Sequence, residues 1–139
     1  MAKGFNAPGV VKPFGIFSSA AWQPPGRVLH ISGHVSQDVD GNIVHEGDMA
    51  AQTRRVLENI RGVLAGVGGT MADIQKVTVY VTDMARLMDI HAVRAEFFAP
   101  PYPASTLVQV SALVRPEYLI EIEAVAVIPE DRVREAAVG

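Results

Sequence analysis

Ten residues near the end of the chain, Leu119-Ile120-Glu121-Ile122-Glu123-Ala124-Val125-Ala126-Val127-Ile128, place the tightest constraint on the fold. Their alternation is that of a β-strand, in which successive side chains point to opposite faces. Ile120, Ile122, Ala124 and Ala126 make one face, and Leu119, Glu121, Glu123, Val125 and Val127 make the other. Both faces carry apolar groups, so neither is suited to open water. Such a strand belongs in a sheet that is covered twice.

The rest of the chain supplies one cover. Residues 28–32 (Val-Leu-His-Ile-Ser) are a short apolar run between Pro24-Pro25-Gly26 and Gly33, which reads as a strand. Asp40-Gly41 within residues 37–44 is a hairpin signal. From Asp48 the period changes. Met49, Thr53, Val56, Leu57, Ile60, Val63, Leu64 and Val67 recur at three and four, giving one apolar helical stripe with Asp48 as N-cap and Gly68-Gly69 as the stop. Residues 74–82 alternate and are rich in β-branched side chains, again a strand. A second helix is predicted over residues 84–98, with Leu87, Ile90, Arg94 and Phe97 along one side, ended by Pro100-Pro101. Strands follow over residues 105–113 and 119–128, and the polar tail 129–139 extends or frays. The expected architecture is a single α+β domain over residues 1–139, a mixed β-sheet with two helices packed on one face. Two helices on one face leave the other for a second subunit.

Composition agrees with that last step. Hydrophobic residues make up 49% and charged residues 19%, and the mean hydropathy is +0.21, which is apolar for a small soluble monomer. The net charge of −3 argues against a nucleic-acid partner, since neutralising phosphates takes a clustered basic patch. The absence of cysteine excludes disulfides, thiolate metal sites and thiol nucleophiles. No apolar run reaches membrane-spanning length and the first residues lack a signal-peptide pattern, so a cytoplasmic protein without membrane contact is expected. His30 and His34, four apart on a strand, would stand about 13 Å apart, too far to share a metal. Gly66-Val67-Gly68-Gly69 lacks the Lys-Ser/Thr ending of a phosphate loop. No metal and no cofactor are expected.

A series of short motifs, weak singly, is specific in its order. These are Gly15-Ile16-Phe17-Ser18-Ser19-Ala20; Ile31-Ser32-Gly33; Ala51-Gln52-Thr53 with Leu57-Glu58-Asn59; residues 77–83 (Val-Thr-Val-Tyr-Val-Thr-Asp); Phe97-Phe98; Tyr102-Pro103-Ala104-Ser105-Thr106; and Ile120-Glu121-Ile122-Glu123-Ala124. Together they resemble the Rid family of reactive-intermediate (enamine/imine) deaminases, also called YjgF. The resemblance implies a chorismate-mutase-like fold, a homotrimer, and a small-molecule pocket at each subunit interface. It also implies hydrolysis of an enamine or imine, with an arginine gripping the substrate carboxylate and a glutamate positioning water.

Carried over by position, Glu123 matches the water-positioning glutamate, while the arginine's place holds Ser105. A hydroxyl cannot replace a bidentate, charge-assisted clamp. A replacement cation would have to come from elsewhere, Arg94 or Arg115 of a neighbouring subunit being the candidates. The ligand-binding residues expected from the match are Phe17, Ser32, Gly33, His91, Ser105, Thr106 and Leu107. Phe17 stands where tyrosine is common in the family, His91 where asparagine is common and Leu107 where cysteine is common, which makes the pocket more apolar and adds a titrating group. Simpler readings stay open for three of these sites. Glu123 reads equally as a sheet-end carboxylate paired with Arg115, Ser105 and Thr106 as ordinary strand residues, and His91 as a solvent-facing helical histidine. Glu121, roughly 7 Å from Glu123 along the strand, forms either an acid–base pair with it or a simple polar stripe. The expected function is hydrolysis of an imine or enamine other than 2-aminoacrylate, 2-aminomuconate being one class the family takes. The alternatives are a non-catalytic metabolite-binding or regulatory protein and, weakest, a ribonuclease or translation inhibitor.

Overall fold

The computed structural model describes residues 3–137. The elements run β1 (Lys3–Phe5), β2 (Ala20–Trp22), β3 (Arg27–His34), α1 (Met49–Ala65), β4 (Ile74–Val81), α2 (Leu87–Phe97), β5 (Ala104–Gln109) and β6 (Ile120–Ile128). The main sheet has the order β3-β6-β4-β5. β6 is antiparallel to both β3 and β4, while β4 and β5 are parallel and joined by the crossover helix α2. The expected mixed sheet with two helices on one face is the architecture found. A small antiparallel pair of β1 and β2, which the sequence pattern does not announce, stands beside it.

The ten-residue alternation that constrained the fold belongs to the strand paired on both edges. Ile120, Ile122, Ala124 and Ala126 join Val77, Val79 and Val81 of β4 and Ile31 of β3 in the core under the helices. Helix α1 meets this face with Met49, Val56, Leu57, Ile60 and Leu64. Asp48 caps it, its carboxylate accepting from the Ala51 amide at 3.0 Å. The buried stripe is narrower than the sequence pattern, because Val63 is exposed and Val67 lies beyond the helix end. Buried Gln52 ties α1 to the segment before β6. Its amide nitrogen donates to the Glu117 carbonyl at 2.9 Å and its oxygen accepts from the Leu119 amide at 2.9 Å. The other sheet face carries Val28, His30, Thr78, Tyr80, Thr106, Val108, Glu121, Glu123 and Val125. It is a mixture of apolar and polar groups on which Val28, His30, Thr106 and Val108 are exposed, while Val127 at its end is buried.

Three boundaries differ from the expectation. The second helix opens with a 3-10 turn, Met84–Arg86, because Asp83 caps it by accepting from the Ala85 amide at 2.9 Å. The strand expected over 105–113 stops at Gln109, since residues 110–119 turn away to rejoin the sheet as β6. Residues 37–44 form a tight turn closed by a single Gln37–Ile43 bridge, with Asp38 accepting from the amides of Asp40 and Asn42.

The tail expected to extend or fray instead docks, as far as it is described. Arg132 donates to both oxygens of the buried Asp73 carboxylate, at 2.9 and 2.6 Å, and to the Gly68 carbonyl at 3.0 Å. Arg134 donates to the Val67 and Ala65 carbonyls at the end of α1, through its amide and its side chain respectively. Gly68 is required here. Its φ is +84°, and a Cβ would meet the Arg132 carbonyl oxygen at 2.0 Å. Residues 138–139 lie outside the described residues.

The Asp73–Arg132 pair generates a stability prediction. Burial by itself would raise the Asp73 carboxyl, but the hydrogen bonds from Arg132 and the Thr70 amide outweigh it and hold it below the ordinary range. A folded-state pKa below the unfolded one adds stability above the unfolded value, and that stability is lost as pH falls through the folded value. Arg132→Ala should therefore lower the unfolding free energy at pH 7 by about 1–3 kcal/mol. The gap to wild type should narrow below about pH 4. Urea denaturation at pH 7 and pH 3 checks both parts.

Candidate functional site

A short stretch after β1 builds one wall of the site. Ser18 forms a bridge to Ala104, its amide donating to the Pro103 carbonyl at 2.9 Å and its hydroxyl to the Tyr102 carbonyl at 2.7 Å. These bonds lay residues 14–18 along the entry to β5, opposite α2. Between them lies a cavity of about 220 Å³ lined by Phe14, Phe17, Met84, Leu87, His91, Arg94, Ser105 and Leu107. Its walls are mainly apolar, and its polar groups are His91 and Arg94 of α2 and Ser105 of β5.

Arg94 is the unusual member. It is 1% exposed, the largest fully buried side chain among the described residues, and it comes from the buried side of α2 beside Ile90 and Val93. Nη2 donates to the Ser105 hydroxyl at 3.0 Å and to the Ile16 carbonyl at 3.2 Å. Among the described residues no carboxylate pairs with it. Burial pulls its pKa down to about 10, so it remains a cation at neutral pH. One turn earlier on the same helix face stands His91. Both of its ring nitrogens are buried without a hydrogen-bond partner. Burial, and secondarily the charge of Arg94, lower its pKa and favour the neutral imidazole.

The carboxylates lie elsewhere. Glu123 accepts from the Tyr80 hydroxyl in a short 2.5 Å bond, and that bond, with burial and the Glu123 charge, raises the Tyr80 pKa. Tyr80, Glu121 and Glu123 share an open depression of about 290 Å³ with Gly33, Val110, Ala112 and Leu113. Gly33 sits in the irregularity where β3 shifts register against β6, and a Cβ there would meet a Glu121 carboxylate oxygen at 2.0 Å. His34 next to it has a lowered pKa through burial, partly offset by Glu121. Arg115 pairs with Glu117 at 3.2 Å and makes no ion pair with Glu123.

The candidate residues therefore divide by strand parity. Ser105 pairs with Val77 and Leu107 with Val79, on the helix side, and both line the cavity with Phe17, His91 and Arg94. Thr106 pairs with Thr78, which in turn pairs with Glu123, on the opposite side, and its hydroxyl accepts from Lys76 Nζ at 2.8 Å. Gly33 and Glu123 belong to that opposite depression, and Ser32 is exposed in the β3 irregularity outside both hollows. Arg94, one of the two candidates for a replacement cation, stands beside Ser105 of its own subunit. Sequence reasoning missed Tyr80 as the partner of Glu123, and Phe14, Met84 and Leu87 as walls. Arg94 did leave a signal: it is a charge in the apolar stripe Leu87, Ile90, Arg94, Phe97. Among the described residues no group of three or more His, Asp or Glu side chains is arranged to hold a metal ion.

Comparisons with known proteins agree with the fold. The family model described as Endoribonuclease L-PSP matches residues 7–128. A RutC family protein of Pyrococcus horikoshii is 41% identical over 121 residues, covering 87% of this chain and 91% of that protein. The crystal structure of YyfB, a Rid protein of Yersinia pestis whose function is unassigned, superposes with a TM-score of 0.84 at 38% identity. That match covers 91% of this chain and 98% of that one. RidA from an Antarctic Psychrobacter species matches with a TM-score of 0.68 at 29% identity, over 91% and 94% of the two chains. With the model spanning most of the chain and a relative above 40% identity, the chain belongs to the Rid (YjgF-type) family.

Proposed function

We propose that this chain hydrolyses an imine or enamine other than 2-aminoacrylate, in pockets closed between neighbouring subunits of a homotrimer. The observation that carries the reading is the opposed placement of Ser105 and Glu123 on one sheet. A ligand touching Arg94 and Ser105 cannot reach the Glu123 of the same subunit through the sheet. A neighbouring subunit set against the β5 edge, beside which the cavity lies, can present the carboxylate of its own open face to that cavity, and packing of this kind also covers Val28, Val108 and Val125.

The chemistry asks little of the protein. An enamine first takes a proton on carbon and loses one from nitrogen, becoming the imine. Water held by Glu123 then adds to the C=N carbon, the carboxylate accepting the proton. Glu123 returns that proton to nitrogen, giving the carbinolamine; the carbonyl then forms as the C–N bond breaks, the hydroxyl proton passing through Glu123 to the nitrogen, which leaves as ammonia. The Tyr80 hydroxyl, donating to Glu123, fixes the carboxylate and leaves its other oxygen for water. A ribonuclease reading, to which the name of the family model points, is disfavoured by the net charge of −3 and by the acidic depression around Glu121 and Glu123.

Two measurements test the proposal. Sedimentation equilibrium should give three times the chain mass of 14.9 kDa, and a stable monomer at micromolar concentration would remove the shared pocket. Ammonia release from a panel of imines made in situ by an amino-acid oxidase should exceed the uncatalysed rate. Glu123→Gln should lower that release by about 100-fold or more, with the trimer intact. Ammonia release that is unchanged in Glu123→Gln would reject Glu123 as the water-positioning group. No release from any imine in the panel would favour the non-catalytic binding protein.

A further inference from the structure

We infer that His91 is the proton carrier of the cavity, giving a proton to the carbon of a bound enamine and taking one back from its nitrogen. The inference rests on the deaminase reading above and assigns a step for which that reading names no donor. Turning an enamine into an imine needs a group that both donates and accepts, because one proton arrives at carbon while another leaves nitrogen. Among the residues lining the cavity, His91 is the one able to do both near neutral pH. An unactivated serine hydroxyl such as that of Ser105 does not exchange its proton there. Arg94, with a pKa of about 10, stays charged, and the other five lining side chains are apolar.

The imidazole is built into the site. A solvent-facing ring would have its nitrogens in water, but both are buried, with no hydrogen-bond partner among the described residues. A Cβ on Gly15 would meet His91 Cε1 at 2.9 Å and two ring carbons of Phe17 at 3.1 and 3.2 Å. Glycine at this position is what lets the ring stand between α2 and residues 14–18. A ring serving only as filler gains nothing from its nitrogens. A buried donor and acceptor left unpaired cost free energy that a leucine or phenylalanine would not. The charge that bears on the ring is Arg94, one turn further along α2. β5 brings Ser105 and Leu107 to the cavity, Met84 and Leu87 are apolar, and residues 14–18 hold no titratable side chain. Asp89, also on α2, is paired with Arg86 at 3.7 Å. Burial first, and the Arg94 charge second, lower the His91 pKa, so its imidazolium is a stronger acid than in water.

The step balances on this one residue. An imidazolium N–H proton passes to the enamine carbon as the nitrogen lone pair closes the C=N bond. The iminium then returns an N–H proton to the ring, leaving a neutral imine and the imidazolium. Addition of water follows at the C=N carbon.

Stereochemistry reads this step directly. The probe is 2-aminobut-2-enoate, released from threonine by a pyridoxal-phosphate dehydratase in D₂O, with the keto-acid product reduced at once by a lactate dehydrogenase. Protonation in free solution deuterates both faces of C3 equally. Wild type should give one C3 configuration in excess over the same mixture without the protein. His91→Asn, which keeps a donor and an acceptor but does not titrate, should lose that excess, and so should His91→Gln. The imine made in situ from 2-aminobutanoate by an amino-acid oxidase needs no proton on carbon, and its ammonia release is the reference. In both variants the ratio of enamine to imine turnover should fall by about tenfold or more. Equal deuteration of both faces by wild type overturns the assignment, whether or not the variants fold. So does an excess retained in His91→Asn, or an equal loss of enamine and imine turnover, which marks His91 as wall only. Turnover of neither probe removes the deaminase reading and this role with it, whereas imine hydrolysis with unselective deuteration removes the role alone.

Discussion

The central position of β6 governs where everything else can be. Paired on one edge with β3 and on the other with β4, it fixes the register of three strands at once. Because strand side chains alternate, that register also decides the face on which each residue stands. Ile120, Ile122, Ala124 and Ala126 go under the helices, and Glu121, Glu123 and Val125 go to the open side. β5 inherits the same parity through β4. A slip of one residue between β4 and β5 would exchange Ser105 for Thr106, setting a bulkier β-branched side chain against the buried guanidinium and turning Leu107 away from the cavity. Core packing and site chemistry are thus set by one register.

Against that frame the burial of Arg94 is a local conflict. Helix α2 gives most of its inner face to the core, through Ile90 and Val93, yet places a permanent charge in the same stripe. Two neutral acceptors, a serine hydroxyl and a backbone carbonyl, meet part of its demand. Charge-assisted bonds of this kind exceed neutral ones in strength, but they do not supply an opposite charge. The rest of the fold tolerates the deficit because the surrounding elements are fixed independently. The crossover from β4 through α2 to β5 is set by the parallel pairing of the two strands, and residues 14–18 by the bonds of Ser18. Sites where a sequence departs from its own local rules are where function is expected to reside.

Much of the architecture could be read directly. The helix from Asp48, the alternation of 74–82 and the doubly apolar final strand each carry a strong periodic signal, and each is present as an element. What could not be read depends on partners distant in sequence. β1 and β2 are three residues each and exist through their mutual pairing. The tail looked polar and unconstrained, but its arginines meet Asp73 and the carbonyls ending α1, which no local pattern encodes. The candidate site was legible in membership more than in arrangement. Ser105, Leu107, Phe17 and His91 do line one cavity. The separation of Thr106 and Glu123 from it follows from parity, for Thr106 through the alternation of residues 105–108 and for Glu123 through that of β6 and its pairing with β4.

Arg94 of α2 stands beside Ser105, the strand position at which the family resemblance expects an arginine, and the element that carries the guanidinium matters. A guanidinium carried on β5 would be positioned by the sheet alone. Carried on α2, it is bonded both to Ser105 of the sheet and to Ile16, next to the aromatic wall residue Phe17. The cation, the strand and the wall loop become one mechanical unit. A serine at 105 is small enough to leave room for that guanidinium and polar enough to hold it. A second arginine there would set two like charges in one buried cavity, with no carboxylate of the chain to separate them.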